Sequence, residues 1–352
     1  MEKPLVVRKK VRGQGKKTYT YHYQSNGRQV TTQSQIDYLN GIRVPASYRD
    51  VTMSLKRGSK QLAQGVDGSG TRQYFYSSKF RAITTRNKYC NLINLGNKLV
   101  RIQRDIDKLL KKGLRIGGNG INDEVLNALA LKIMFICNFR VGSLKGVRDH
   151  QTYGLTTING KHIKIGGGQK TSPRPRGQKT SPRTQALIEF LGKKQQWNRC
   201  VVRDEVIVSL LRKLSRNYQK LGKGTSGASL LSWDGYKVTP RSLNNFLARY
   251  HPDITTKTWR TWYANLEFIK RINRVEVPEY KTHRKKIVDE IVKKVASDLH
   301  HTAAVSKRAY LMSELPKFYV DRPDEWEKMR NRTRASRGFL MSFLKKYCQN
   351  KK

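Results

Sequence analysis

The sequence predicts an α+β chain: a small β-rich N-terminal domain followed by a larger, mainly helical one. Three observations carry this. Up to about residue 80, apolar and aromatic residues recur with period two around Gly- and Asn-containing turns, the pattern of half-buried strands. From about residue 82 the period becomes helical. The 352 residues also suffice for two domains with cores of their own.

Residues 1–16 read as a basic, disordered arm, because a run of like charges has little to bury. "TYTYHYQSNGRQVTT" then alternates aromatic and polar residues around Asn26 and Gly27, a strong hairpin signal. "YRDVTMSLKR" and "QLAQGVDGSGTRQYFYS" continue the alternation with a turn at Asp67 to Gly70, closing a domain over residues 17–81. In "QYFYS" the alternation sets Tyr74 and Tyr76 on one face and Phe75 on the other.

The second domain, 82–352, opens with "NKYCNLINLGNKLVRIQRDIDKLLKKG", an amphipathic helix expected to stop at Gly113. "NDEVLNALALKIMFICNFRVG" is apolar on most faces and predicts a central buried helix that delivers Arg140 at its C-terminal end. Two strand-like segments, "YGLTTINGKHIKIGG" and "TQALIEFLGKKQQWNRCVV", flank a Pro- and Arg-rich near-repeat at about 168–183, expected as a disordered loop insertion that tethers DNA. Helices are predicted over 204–221, from Thr239 and Pro240 to Tyr250, and over 256–273, 280–298, 303–314 and 323–347.

Lys plus Arg number 72 against 25 Asp plus Glu, a formal charge of +47. Such an excess repels itself and calls for a polyanion, so nucleic acid is the expected partner. No long apolar run, lipidation signal or signal peptide is found, which points to an intracellular protein without a membrane. Cys90, Cys137, Cys200 and Cys348 are scattered without a CxxC pair, arguing against a zinc finger and a disulfide framework and for a reducing compartment. Neither a P-loop nor an acidic metal cluster is visible, so no cofactor or metal is expected.

"DLHHTAAVSKRAYLMSEL" sets His301 and Tyr310 nine residues apart, half a turn out of phase on one continuous helix. A shared site therefore needs a break, and Thr302 can supply it by capping a helix start.

Several segments in order, "PASYRDVTMSL", "GVDGSGTRQYFY", "NKYCNLINLG", "FRVG" before "YGLTTINGKHI", "IEFLGK", "TTKTWRTWYAN" and "HTAAVSKRAYL", resemble the compact type IB DNA topoisomerases of poxviruses, other large DNA viruses and some bacteria. The resemblance spans residues 45 to 314 and departs in the N-terminal extension, the insertion and the "HHT" and "WRTWYAN" spellings. It implies that the helical domain is a catalytic domain of the type IB topoisomerase and tyrosine recombinase kind. It further implies a monomer that clamps double-stranded DNA and relaxes supercoils through a 3′-phosphotyrosyl intermediate, without ATP or metal; a viral source would set it in the virion or a cytoplasmic viral factory. Arg140 and Arg260 become the catalytic arginines, Lys193 the general acid with Lys194 as its alternative, His301 the phosphate-binding histidine with His300 as its competitor, and Tyr310 the nucleophile. Gln73, Tyr74, Tyr76, Lys257 and Asn265 fall on DNA-contacting positions. Gly146 stands where poxvirus members carry a base-reading aromatic, so the resemblance does not by itself imply a sequence preference like theirs.

The chemistry needs these residue types. Guanidinium groups are always charged and can bridge two phosphate oxygens as negative charge grows in a pentacoordinate transition state. A phenol with a free pKa near 10 attacks as phenolate only where neighbouring positive charge favours proton loss. The 5′ oxygen leaves once protonated, a task for a lysine. A tyrosine recombinase shares most of this set, but typically has His three residues before the second Arg, where this chain has Lys257, and usually carries a helical N-terminal domain. A nonenzymatic DNA-packaging protein would account for the charge but not for the ordered motifs.

Overall fold

The computed structural model describes residues 5–10, 19–115, 120–167, 184–220 and 229–349. The repeat at 168–183 and the rest of the basic arm lie outside the described residues. The chain divides into two compact units, Met1–Lys88 and Tyr89–Lys352.

The first unit is built on an antiparallel sheet of β1 (Leu5–Lys10), β2 (Tyr19–Tyr23), β3 (Arg49–Ser54), β4 (Gln61–Val66) and β5 (Arg72–Tyr76), in the order β2-β1-β3-β4-β5. The expectation of a disordered arm is corrected here: Leu5–Lys10 forms an interior strand, paired on both sides. The reason lies in residues distant in sequence. Val6 is fully buried, and the Arg8 guanidinium lies over the Tyr19 ring and donates to the carbonyls of Val44 and Pro45, so its charge does not oppose folding. The hairpin at Asn26 and Gly27 is reduced to one bridge between His22 and Gln29, with Gly27 at φ +70° supplying the turn. Sequence periodicity missed helix α1 (Gln33–Gly41), whose Leu39 joins Val6, Tyr21, Val51 and Met53 in the core.

Helix α2 (Ser78–Arg115) carries the chain into the second unit. It runs past Gly113, correcting the expected stop: a Cβ there would meet a Val125 methyl at 2.6 Å, so this glycine serves close packing and not termination. Against α2 lies α3 (Asp123–Cys137), buried on nearly every face as its apolar sequence predicts. Then follow the short α4 (Leu144–His150) and a three-stranded antiparallel sheet, β6 (Ile163–Gly167), β7 (Thr184–Gly192) and β8 (Gln196–Val202). After α5 (Glu205–Lys220) and the two-residue strands β9 (Ser232–Trp233) and β10 (Tyr236–Lys237) the chain is helical: α6 (Pro240–Ala248), α7 (Thr256–Ile272), α8 (Lys281–Asp298), α9 (Ala303–Ala309), α10 (Glu314–Asp321), α11 (Pro323–Thr333) and α12 (Ser336–Gln349). The single helix expected over 323–347 is broken at Arg334, which adopts φ +53°. Among the described residues no helix is long and apolar enough to cross a membrane.

The four cysteines are paired, Cys90 with Cys348 and Cys137 with Cys200, which corrects the expectation of free thiols and removes that argument for a reducing compartment. Sequence separations of 258 and 63 hide the pairing, because only packing brings α12 onto α2 and the end of α3 onto β8.

Candidate active site

Helix α3 ends at Asn138, whose left-handed backbone (φ +54°) turns the chain out of the helix and sends Arg140 away from the core. The segment is then fixed from the other side. The amides of Leu155 and Thr156 donate to the carbonyls of Arg140 and Val141, and Gly142 lies so close to Gly154 that a Cβ on the latter would meet Gly142 Cα at 2.5 Å. Arg140 is therefore presented from a rigid strap, its Nη1 donating to the His300 carbonyl at 3.2 Å.

Arg260 sits on the first turns of α7, which Thr255 caps by accepting from the Thr258 amide. It is only 4% exposed. Its Nη1 donates to the Asn138 carbonyl and its Nη2 to the Leu299 carbonyl at 2.8 Å, while its buried Nε has no partner among the described residues. Burial pushes this guanidinium down from its usual high value; the Tyr310 phenol opposes that and the Arg140 charge adds to it. A buried cation without a carboxylate is costly, and an anion arriving here would offset that cost.

Thr302 caps α9, accepting from the Val305 amide, and this supplies the break that the spacing of His301 and Tyr310 demands. His301 precedes the helix and Tyr310 ends it, and their rings stack at 5.1 Å with only 6° between planes. The Arg260 guanidinium carbon lies 5.1 Å from the centre of the Tyr310 ring. Burial pushes the phenol up, but the charge and hydrogen bonding of Arg260, then of Arg140, outweigh it and bring its pKa below the ordinary value. His301 is held down to about 4 by burial first and by repulsion from Arg260 and Arg140. Its Nδ1 faces the Thr302 carbonyl at 3.2 Å, so in the neutral ring Nδ1 carries the proton. Its Nε2 is buried and has no partner among the described residues. Two unpaired nitrogens, Arg260 Nε and His301 Nε2, thus flank the phenol.

The structure separates the adjacent histidines. His301 faces Tyr310, whereas the His300 ring turns to the Cys137 carbonyl, 2.9 Å from Nε2. Asn265, expected to touch DNA, is fully buried, and that expectation is corrected. Its amide nitrogen donates to the carbonyls of Thr261 and Tyr310 and its oxygen accepts from the Met312 amide, so it clamps the backbone on both sides of the tyrosine. Tyr89 does the same from α2, donating to the Leu311 carbonyl at 2.8 Å. Spacing gave no signal for Tyr89.

Lys193 and Lys194 occupy the exposed turn between β7 and β8, with φ +63° at Lys194 and +56° at Gln195. Lys257 is exposed on the first turn of α7. In the first unit Tyr74 and Tyr76 project from one face of edge strand β5, 49% and 36% exposed, with rings stacked at 6.3 Å, while Phe75 packs on the opposite side against Tyr48. Gln73 donates to the Asp67 carboxylate at 2.8 Å and so braces the β4–β5 turn. Among the described residues no group of three His, Cys, Asp or Glu side chains could hold a metal ion.

A sequence profile of the eukaryotic DNA topoisomerase I catalytic core matches residues 77–333, most of the chain. The chain belongs to the type IB DNA topoisomerases. This topoisomerase is 26% identical over 339 residues to the DNA topoisomerase 1B of Acanthamoeba polyphaga mimivirus, covering 94% of this chain and 92% of the relative. It is 23% identical over 297 residues to that of Vaccinia virus (strain Copenhagen), and 24% over 297 residues to the DNA topoisomerase I of Monkeypox virus; each covers 81% of this chain and 82% of the relative.

Proposed function

We propose that this topoisomerase relaxes supercoiled duplex DNA by cutting one strand, with Tyr310 as the nucleophile. The observation that carries this reading is the Tyr310 phenol stacked on His301 beneath Arg260, its proton loss favoured by two guanidinium groups that have no carboxylate partner among the described residues.

The phenolate attacks a backbone phosphorus. As the Oη–P bond forms, the P–O5′ bond breaks, leaving a 3′-phosphotyrosyl ester, and Lys193 at the hairpin turn gives the departing 5′ oxygen its proton. Arg140 and Arg260 exchange their carbonyl contacts for the nonbridging oxygens, where negative charge grows. A phosphate beside His301 raises that ring's affinity for a proton, and Nε2 then donates to it. The ester retains the energy of the broken bond, so the 5′ hydroxyl reseals the strand by the reverse reaction once the free end has rotated. Lys257 holds a flanking phosphate, and Tyr74 and Tyr76 contact the duplex from the first unit. The protein acts as a monomer that clamps the DNA inside the cell.

The test is relaxation of a supercoiled plasmid in EDTA without ATP, together with trapping on a suicide duplex and mapping of the attached residue by mass spectrometry. Wild type relaxes the plasmid and carries the nucleotide on Tyr310; Tyr310→Phe does neither. Relaxation by the Phe variant, or an adduct on another side chain, removes Tyr310 from the mechanism.

A further inference from the structure

Three consecutive residues after α8 each meet the catalytic cluster differently. The Leu299 carbonyl accepts from Arg260, the His300 carbonyl accepts from Arg140, and the His301 ring stacks on Tyr310. Across from them, the end of α3 offers the Asn138 carbonyl to Arg260 and the Cys137 carbonyl to the His300 ring. The two segments are therefore joined by three links, of which two run through the arginines.

Those two links compete with the phosphate for the same guanidinium groups. As Arg140 and Arg260 turn donors to the phosphate, their hold on the carbonyls of Asn138, Leu299 and His300 weakens. The His300 imidazole is different, since it bonds only to protein: Nε2 lies 2.9 Å from the Cys137 carbonyl, and the ring lies 5.4 Å from Phe139. A carbonyl only accepts, so Nε2 carries the proton. His300 also adopts φ +52°, a left-handed backbone that a non-glycine residue enters only at a steric cost. A costly backbone retained with a side chain rather than a glycine points to work done by that side chain.

We infer that His300 is a positioning residue, whose imidazole keeps the Arg140 strap and the His301–Tyr310 segment in register once the arginines have moved onto the phosphate. This rests on the reading of Tyr310 as nucleophile.

The test compares three variants in single-turnover cleavage of a suicide duplex, with DNA affinity and thermal midpoint measured alongside. His300→Gly accepts φ +52° without strain but lacks the ring. It should fold with an unchanged or higher midpoint, bind the duplex within about threefold of wild type, and form the Tyr310 adduct about tenfold more slowly or worse. His300→Gln sets an amide N–H near the position of Nε2 and should recover the rate to within about threefold. His300→Ala should match the Gly rate at a lower midpoint. A Gly variant that cleaves at the wild-type rate overturns the inference, and so does a Gln variant no faster than Gly. Absence of any Tyr310 adduct from wild type would instead remove the nucleophile reading beneath it, so the two failures are told apart.

Discussion

His301 offers a quantitative check on the charge balance of the site. Its pKa is held at about 4 against an ordinary 6.5, chiefly by burial and then by Arg260. A base whose folded pKa lies below its unfolded one binds fewer protons when folded, so stability rises with pH. The contribution is complete above the unfolded value near 6.5 and is lost as the pH falls toward 4. Holding the ring near 4 instead of 6.5 amounts to about 3 kcal/mol across the whole window, of which about 2 kcal/mol falls between about pH 7 and about pH 5. His301→Asn removes this titration, while carboxylates and His300 titrate in both proteins and cancel in the comparison. Urea unfolding followed by tryptophan fluorescence is the assay. All five tryptophans, Trp197, Trp233, Trp259, Trp262 and Trp326, lie in the second unit, so the signal reports the unit that holds the site. Wild type should lose about 2 kcal/mol more than His301→Asn on moving from about pH 7 to about pH 5. Equal losses would refute the picture of a buried, neutral ring pressed by guanidinium charge.

Asn265→Ala leaves the Tyr310 carbonyl and the Met312 amide without their partner, which should cost about 2 to 4 kcal/mol in urea unfolding and slow adduct formation in single-turnover cleavage. For the Cys137–Cys200 link, the chain-entropy account gives about 4 kcal/mol for closing a loop of 63 residues. Reductant should therefore lower the thermal midpoint, and peptide mapping without reduction should recover both bridges; a titration that finds four free thiols would contradict them. Tyr74→Ala combined with Tyr76→Ala should weaken duplex binding about tenfold in a filter assay, if the stacked pair on β5 meets DNA as proposed.

Several helical elements were legible because their signals lie among near neighbours. The apolar run of α3, the Thr239 and Pro240 start of α6 and the Thr302 cap of α9 are all written within a few residues. Where distant segments meet, local pattern failed. β1 was hidden by its lysines and arginine because the carbonyls that receive Arg8 come from residues 44 to 48. Gly113 imitated a helix stop because Val125 is invisible from its position in the chain.

The sequence by itself determined the class of fold, most of the helices of the second unit and the residue types available to a phosphoryl-transfer site. Tertiary structure decided which histidine faces Tyr310, turned Asn265 inward as a backbone clamp and joined four scattered cysteines into two bridges. The physical reason is that periodicity and capping encode the local path of the backbone. Whether a donor 40 or 160 residues away meets its acceptor depends on how helices pack, and no spacing records that.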